Sequence, residues 1–178
     1  HAAAEQAAAA LGASVETVRL SETDAGLAAW HPHFSTLQWR EIWDTHRDWI
    51  TAVRPIFGPG IAERFEGAAK VTDASVAEAR PFREKVAAKL ASLLNPGTAL
   101  IAPTVPGPAP ESGLPQDRVV DYRNRALRIL CIAGLARLPQ LSMRLASVDG
   151  LPLGVSLVGA RDTDRGLLAA GRIVAGDG

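Results

Sequence analysis

The sequence predicts an α/β fold in which helices cover a β-sheet, on three observations. An alanine-rich, helix-favouring run ends near Gly12 and a β-branched run follows, the punctuation of an α/β layer. Residues 98–102 (TALIA) are apolar without polar alternation, as in a strand covered on both faces. Asp149-Gly150 separates two strand-like runs, and both residues accept the positive φ that a two-residue hairpin turn needs.

The elements follow in order. Residues 2–11 form a helix, Gly12 stops it, and residues 14–20 (SVETVRL) are expected as a strand. Residues 21–54 are mostly helical, with Pro32 expected to break the helix near its start. Trp39, Trp43, His46 and Ile50 recur on one face of it, which makes His46 a core histidine. Gly58-Pro59-Gly60 ends that segment. A short helix over 61–70 precedes a longer one over 73–94, whose buried stripe is Val86, Leu90, Leu93 and Leu94. After the strand 98–102, residues 103–115 hold five prolines and two glycines and form a loop. A helix over 117–135 presents Val119, Tyr122, Ala126 and Leu130 on one face. Leu141, Met143 and Leu145 alternate with Ser142, Arg144 and Ala146 in one strand, and residues 151–159 return as the next. Asp162 or Thr163 caps a last helix carrying Leu167, Leu168 and Val174. Covered strands need neighbours and four strands would leave at least one open edge, so the sheet is expected to be part of a larger one.

The bulk numbers narrow the function. The 178 residues suit one domain spanning 1–178. Nineteen Lys+Arg balance nineteen Asp+Glu, so no global field draws in nucleic acid or an anionic membrane. No apolar run reaches the roughly 18 residues of a membrane span. The single cysteine, Cys131, leaves no internal disulfide and fits a cytoplasmic, reducing compartment. Residue 1 is His and the first run reads as a helix already under way, so residues before it are expected. His31, His33 and His46 lack the further ligands a zinc site needs. Cys131, mid-helix among Ile129, Leu130 and Ile132, reads as an inert structural thiol. Arg118, Arg123, Arg125 and Arg128 are interleaved with Asp117 and Asp121 and read as a solvated face.

Three stretches carry a resemblance to a known family. Residues 99–110 (ALIAPTVPGPAP), 126–171 (a helix ending in Gly, a strand, Gly-Leu-Pro, Gly-Val-Ser-Leu, Asp-Arg and Leu-Leu) and 33–50 (HFSTLQWREIWDTHRDWI) stand in the order seen in amidase signature hydrolases. The chain resembles the C-terminal part of such an enzyme, and 125–142 looks closest to arylacetamide- and indoleacetamide-type plant and bacterial members. The resemblance implies a mixed β-sheet covered by helices and hydrolysis of a small-molecule carboxamide to acid and ammonia, with no cofactor. It implies a Ser-Ser-Lys mechanism housed in a Gly/Ser-rich segment that lies N-terminal to everything matched here. The serines of this chain are scattered, Lys70 is its first lysine, and no catalytic residue is carried across. The missing segment, on the same chain or on a partner chain, is therefore an expected partner, as is a homodimer. The candidates for the substrate pocket are Trp39, Thr104, Val105, Pro106, Arg125 and Cys131. Arg125 is the candidate for holding a substrate carboxylate, because its guanidinium fork suits one. Arg144 replaces a proline common in the family, and the helix before it lacks the usual Thr-x-Pro-x-Asn, which affects substrate choice rather than membership.

Overall fold

A computed structural model describes residues 1–58 and 60–176. Six α-helices are present among the described residues: α1 Ala2–Ala10, α2 Trp30–Val53, α3 Ala62–Ala69, α4 Asp73–Leu93, α5 Gln116–Ala136 and α6 Asp164–Ala175. Three strands, β1 Ala99–Pro103, β2 Gln140–Val148 and β3 Leu151–Gly159, pair in the order β1-β3-β2. The α/β class holds. Both pairings are antiparallel, and a parallel partner is not found among the described residues.

β3 is the central strand, and Val155 to Ala160 are all buried. One of its faces meets α6, where Gly171 lets the helix sit on Leu141 and Met143. Towards α5 and the end of α4, Val158 and Ala160 pack with Leu94 and Ala133, and Leu100 and Leu138 close the edges. The hairpin turn uses Asp149 (φ 51°) and Gly150 (φ 78°), as the Asp-Gly pair requires. A bulge between Arg144 and Ala146 resets the alternation expected along β2.

The main core lies among the helices. Trp30 and Leu37 of α2, Val76, Ala79, Val86 and Leu90 of α4, and Cys131, Ile132, Leu135 and Ala136 of α5 form one buried cluster. Fully burying a leucine such as Leu90 or Leu135 contributes about 1.5–3 kcal/mol. Close approach of α2 and α5 depends on Gly134, where an added Cβ would lie 2.5 Å from Cε2 of Phe34. Arg40 ties α2 to the start of α4, donating to Asp73 Oδ1 at 2.6 Å and to the Val71 carbonyl at 3.2 Å. Thr72 caps α4 by accepting from the Ser75 N–H at 3.2 Å.

Several expectations are corrected. Residues 14–20 are neither helix nor strand, and all but Leu20 are exposed. β-propensity acts only through pairing and packing, and among the described residues no strand pairs with this segment. Pro32 does not break α2, because it stands in the first turn, where its missing N–H has no helical acceptor. The Trp39/Trp43/His46/Ile50 stripe is not core. Core packing goes to Trp30 and Leu37, and His46 is exposed, edge-on to Phe65 at 6.0 Å. Leu93 is exposed and Val76 and Ala79 take its place in the buried stripe of α4. Thr163 holds the N-cap position of α6, but its hydroxyl donates to the Ala160 carbonyl at 2.7 Å instead of capping. In α5, Val119 is exposed and burial begins at Ala126, so the amino-terminal half of the helix stands clear of the core.

Two predictions follow from this packing. Gly134→Ala lowers stability by about 1–2 kcal/mol through overpacking against Phe34, whereas Gly166→Ala, which meets no atom within 4 Å, raises it by up to about 1 kcal/mol through helix propensity. Urea midpoints of the two variants should move in opposite directions, and equal shifts would contradict the close approach. Burial pushes the Cys131 thiol up from 9.0 to about 12. A folded-state pKa raised this way gives stability that is fully present below pH 9 and is lost as pH climbs towards 12. The thiol should label with a disulfide reagent at pH 8 only at the rate of unfolding; instant labelling of the native chain would place it on the surface.

Candidate functional site

The sheet carries a polar patch where its covered faces should be apolar. Strand alternation puts Gln140, Ser142 and Arg144 of β2 on one face, and Gly154, Ser156 and Val158 of β3 on the same side. Ser142 lies opposite Ser156, and Ser156 lies opposite Ala102 of β1. Just beyond β1, Thr104 extends the ladder by donating its N–H to the Gly154 carbonyl at 2.9 Å. This swings its side chain over Gly154. A Cβ on Gly154 would come within 3.1 Å of Thr104 Oγ1 and 3.5 Å of Ser142 Oγ, so glycine leaves the room that the hydroxyls occupy.

Those hydroxyls are joined. Ser156 Oγ accepts from Gln140 Nε2 at 2.7 Å and lies 2.7 Å from Thr104 Oγ1. Thr104 Oγ1 lies 2.7 Å from Ser142 Oγ. Ser156 is only 1% exposed, so these bonds stand in for the water it has lost. Ser142, at the other end, is exposed. The proline loop that follows Thr104 is held to α5 by Tyr122, whose hydroxyl donates to the Gly107 carbonyl at 2.8 Å.

The residues singled out from the sequence fall into separate places. Thr104 is in the hydroxyl cluster, and Val105 and Pro106 are half-buried in the loop beside it. Arg125 is exposed on α5, with Nη1 3.9 Å from Asp121 Oδ2. Cys131 is fully enclosed in the helical core and donates to the Arg128 carbonyl at 3.3 Å. Trp39 is 36% exposed and packs against Gly67 of α3, where an added Cβ would be 2.8 Å from its ring. Gln140, Ser142, Gly154, Ser156 and Tyr122 were not singled out. The usable signal was polar residues at i, i+2 spacing in a strand that must be covered.

Charge gathers elsewhere. His31 Nε2 sits 3.2 Å from Ser35 Oγ, and its pKa is lowered by burial, then by Arg128 and Arg123. Burial and the neighbouring Arg64 lower Arg123. His33 instead stacks on Phe82 at 4.1 Å, and with His46 against Phe65 the three histidines take three different neighbours. Among the described residues no three His, Cys, Asp or Glu side chains converge on a metal position. A cleft of about 240 Å³ lies by Ala87, Leu94, Leu138 and Arg161, and one of about 130 Å³ by Phe34, Arg83, Gly134 and Arg137. Neither is lined by the hydroxyl cluster. No described helix is long and apolar enough to cross a membrane.

Comparison with known proteins bears on this arrangement. The chain is 37% identical over 133 residues to Amidase 1 of Arabidopsis thaliana, a match covering 75% of this chain and 31% of that protein. Over 133 residues it is 30% identical to translocon at the outer membrane of chloroplasts 64 of Pisum sativum, covering 75% of this chain and 22% of that one. It therefore spans about a third or less of the length of these relatives. Among solved structures, a crystallised amidase superposes with a TM-score of 0.78 at 23% identity, covering 99% of this chain and 41% of that one. 6-Aminohexanoate cyclic dimer hydrolase superposes with a TM-score of 0.72 at 23% identity, covering 99% and 40%. These likenesses establish a shared fold. Residues 4–168 match the family described as Amidase, and the chain belongs to that family.

Proposed function

We propose that this chain is the substrate-pocket part of an amide hydrolase that converts a carboxamide and water to a carboxylate and ammonia. Its 178 residues act as one domain in this reading. The catalytic serines and lysine come from a segment outside them, on the same polypeptide or on a partner chain. The observation that carries the reading is the family match over 4–168 together with the chemistry of the chain's own side chains. Lys89 is paired with Glu22 at 3.0 Å, and Lys70, just after α3, and Lys85, on α4, are exposed. Ser142 and Ser156 lie in a hydroxyl cluster whose bonds, among the described residues, include no general base. Such a cluster can bind and orient, but it lacks a group to take a proton from a nucleophile.

The pocket wall in this reading is Thr104, Val105 and Pro106, with the free-standing half of α5 beside them. Tyr122 fixes the loop, and its prolines lower the entropy lost in ordering it. Arg125 is placed to exchange its loose contact with Asp121 for a substrate carboxylate. Trp39, against Gly67 of α3, and Cys131, in the helical core, act in this reading only as packing. The compartment this reading implies is the cytoplasm, and β1 and β2, each unpaired on its outer side among the described residues, offer edges for the rest of the sheet or a second copy.

The relative named as a chloroplast translocon component favours a second reading, a non-catalytic binding protein built on the same fold. Ammonia release separates the two. The purified 178-residue polypeptide should release none from phenylacetamide or indoleacetamide above the buffer rate. Combined with a catalytic amidase segment it should become active, and a fluorophosphonate should label only the added segment. Release by the polypeptide alone, abolished on replacing one of its own serines, would overturn the proposal. Labelling of neither piece would favour the binding protein.

A further inference from the structure

The hydroxyl cluster has a direction. Gln140 Nε2 can only donate, so Ser156 Oγ is its acceptor. Ser156 is buried, and its own proton needs an acceptor, which is Thr104 Oγ1 at 2.7 Å. Thr104 Oγ1 then passes its proton to Ser142 Oγ, also at 2.7 Å. In this arrangement each hydroxyl up to Ser142 both accepts and donates, and bonds in such a chain polarise one another in the same sense. Ser142 is the exposed end, and its O–H is the one hydroxyl proton of the chain left without a partner among the described residues.

We propose that Ser142 Oγ–H is a ligand-binding donor whose orientation is set from Gln140, and that this patch selects hydrogen-bond acceptors, the carbonyl or carboxylate oxygen of a small acyl compound, over ammonium groups. Arg144 stands one strand pair beyond Ser142 on the same face, opposite Gly154, and adds positive charge on the side where the donor emerges. Gly154 leaves the room in which Thr104 and Ser142 meet, since a Cβ there would come within 3.1 Å of Thr104 Oγ1 and 3.5 Å of Ser142 Oγ. The inference deepens the pocket reading and rests on it for the acyl character of the ligand. Gln140 is a positioning residue and Ser142 a binding residue.

The test reads polarity rather than hydrolysis. Backbone amide shifts of Thr104, Ser142 and Gly154 in the ¹⁵N-labelled chain are followed on titration with phenylacetamide and, separately, 2-phenylethylammonium at pH 8. Phenylacetamide should bind the patch more tightly by roughly fivefold, the worth of one hydrogen bond. Ser142→Ala, at an exposed position that leaves the fold intact, should remove most of that ratio; an unchanged ratio would assign it to Arg144 and overturn the proposal. Gln140→Glu can only accept when ionised, so it should reverse the chain and move the ratio towards ammonium. That shift should shrink in the Ser142→Ala background. An equal shift in both backgrounds would mean that the new charge acts through space, and would also overturn it. So would the lack of any response to phenylacetamide at these three amides. Failure to form an active amidase with a catalytic segment would defeat the pocket reading alone, leaving the ratio and its dependence on Gln140 intact.

Discussion

A strand buried on both faces is the constraint on which the rest of this structure depends. From Val155 of β3 to Ala160 just beyond it every residue is enclosed, with β1 and β2 on the strand's sides and helices above and below. Five of these six residues bury apolar or minimal side chains without difficulty. The sixth, Ser156, brings a hydroxyl into a place with no water, where leaving it unpaired costs about 1–3 kcal/mol. Gln140 and Thr104 are the residues that meet this cost. Because Thr104 must lean over β3 to do so, the position next to it has to be Gly154, and the loop that follows starts from a fixed point. A single buried polar atom thus sets the geometry of the sheet face and of the proline loop.

The two halves of α5 differ in burial and in what they hold in place. From Ala126 onwards the helix fills the core with α2 and α4, using Gly134 to admit Phe34. Before Ala126 it is largely exposed and its role is to hold the loop through Tyr122. A helix anchored firmly at one end is a rigid support for groups displayed at the other, which is what a binding wall requires. Charges follow the same division. Arg40 and Arg83 are mostly buried at helix junctions, while Arg125 stays at the surface with a 3.9 Å contact that a ligand can displace.

Much of this was legible in the sequence. Asp149-Gly150 named its own turn, TALIA its strand, and the Val86/Leu90 spacing the buried side of α4, because turn chemistry and periodicity act locally. Residues 14–20 misled for the opposite reason: a strand exists only when another strand is beside it, and that is not a local property. The tryptophan stripe misled because periodicity reports that a helix has an apolar face, not what covers it. Ser142 and Ser156 were counted as scattered serines since they are far apart along the chain, and only the β2–β3 register makes them neighbours. Thr104 was reached through family resemblance, and its role over Gly154 needed the fold.

The claim that most needs direct measurement is where a substrate touches this chain. A photoreactive arylacetamide, cross-linked to the chain in complex with a catalytic amidase segment and mapped by peptide mass spectrometry, would read that position. The account predicts adducts on Thr104, Val105, Pro106 and Ser142. Adducts confined to the aromatic cluster where Phe57, between α2 and α3, stacks on Phe65 at 4.7 Å and meets Trp49 edge-on at 6.1 Å, with none on the sheet face, would contradict it.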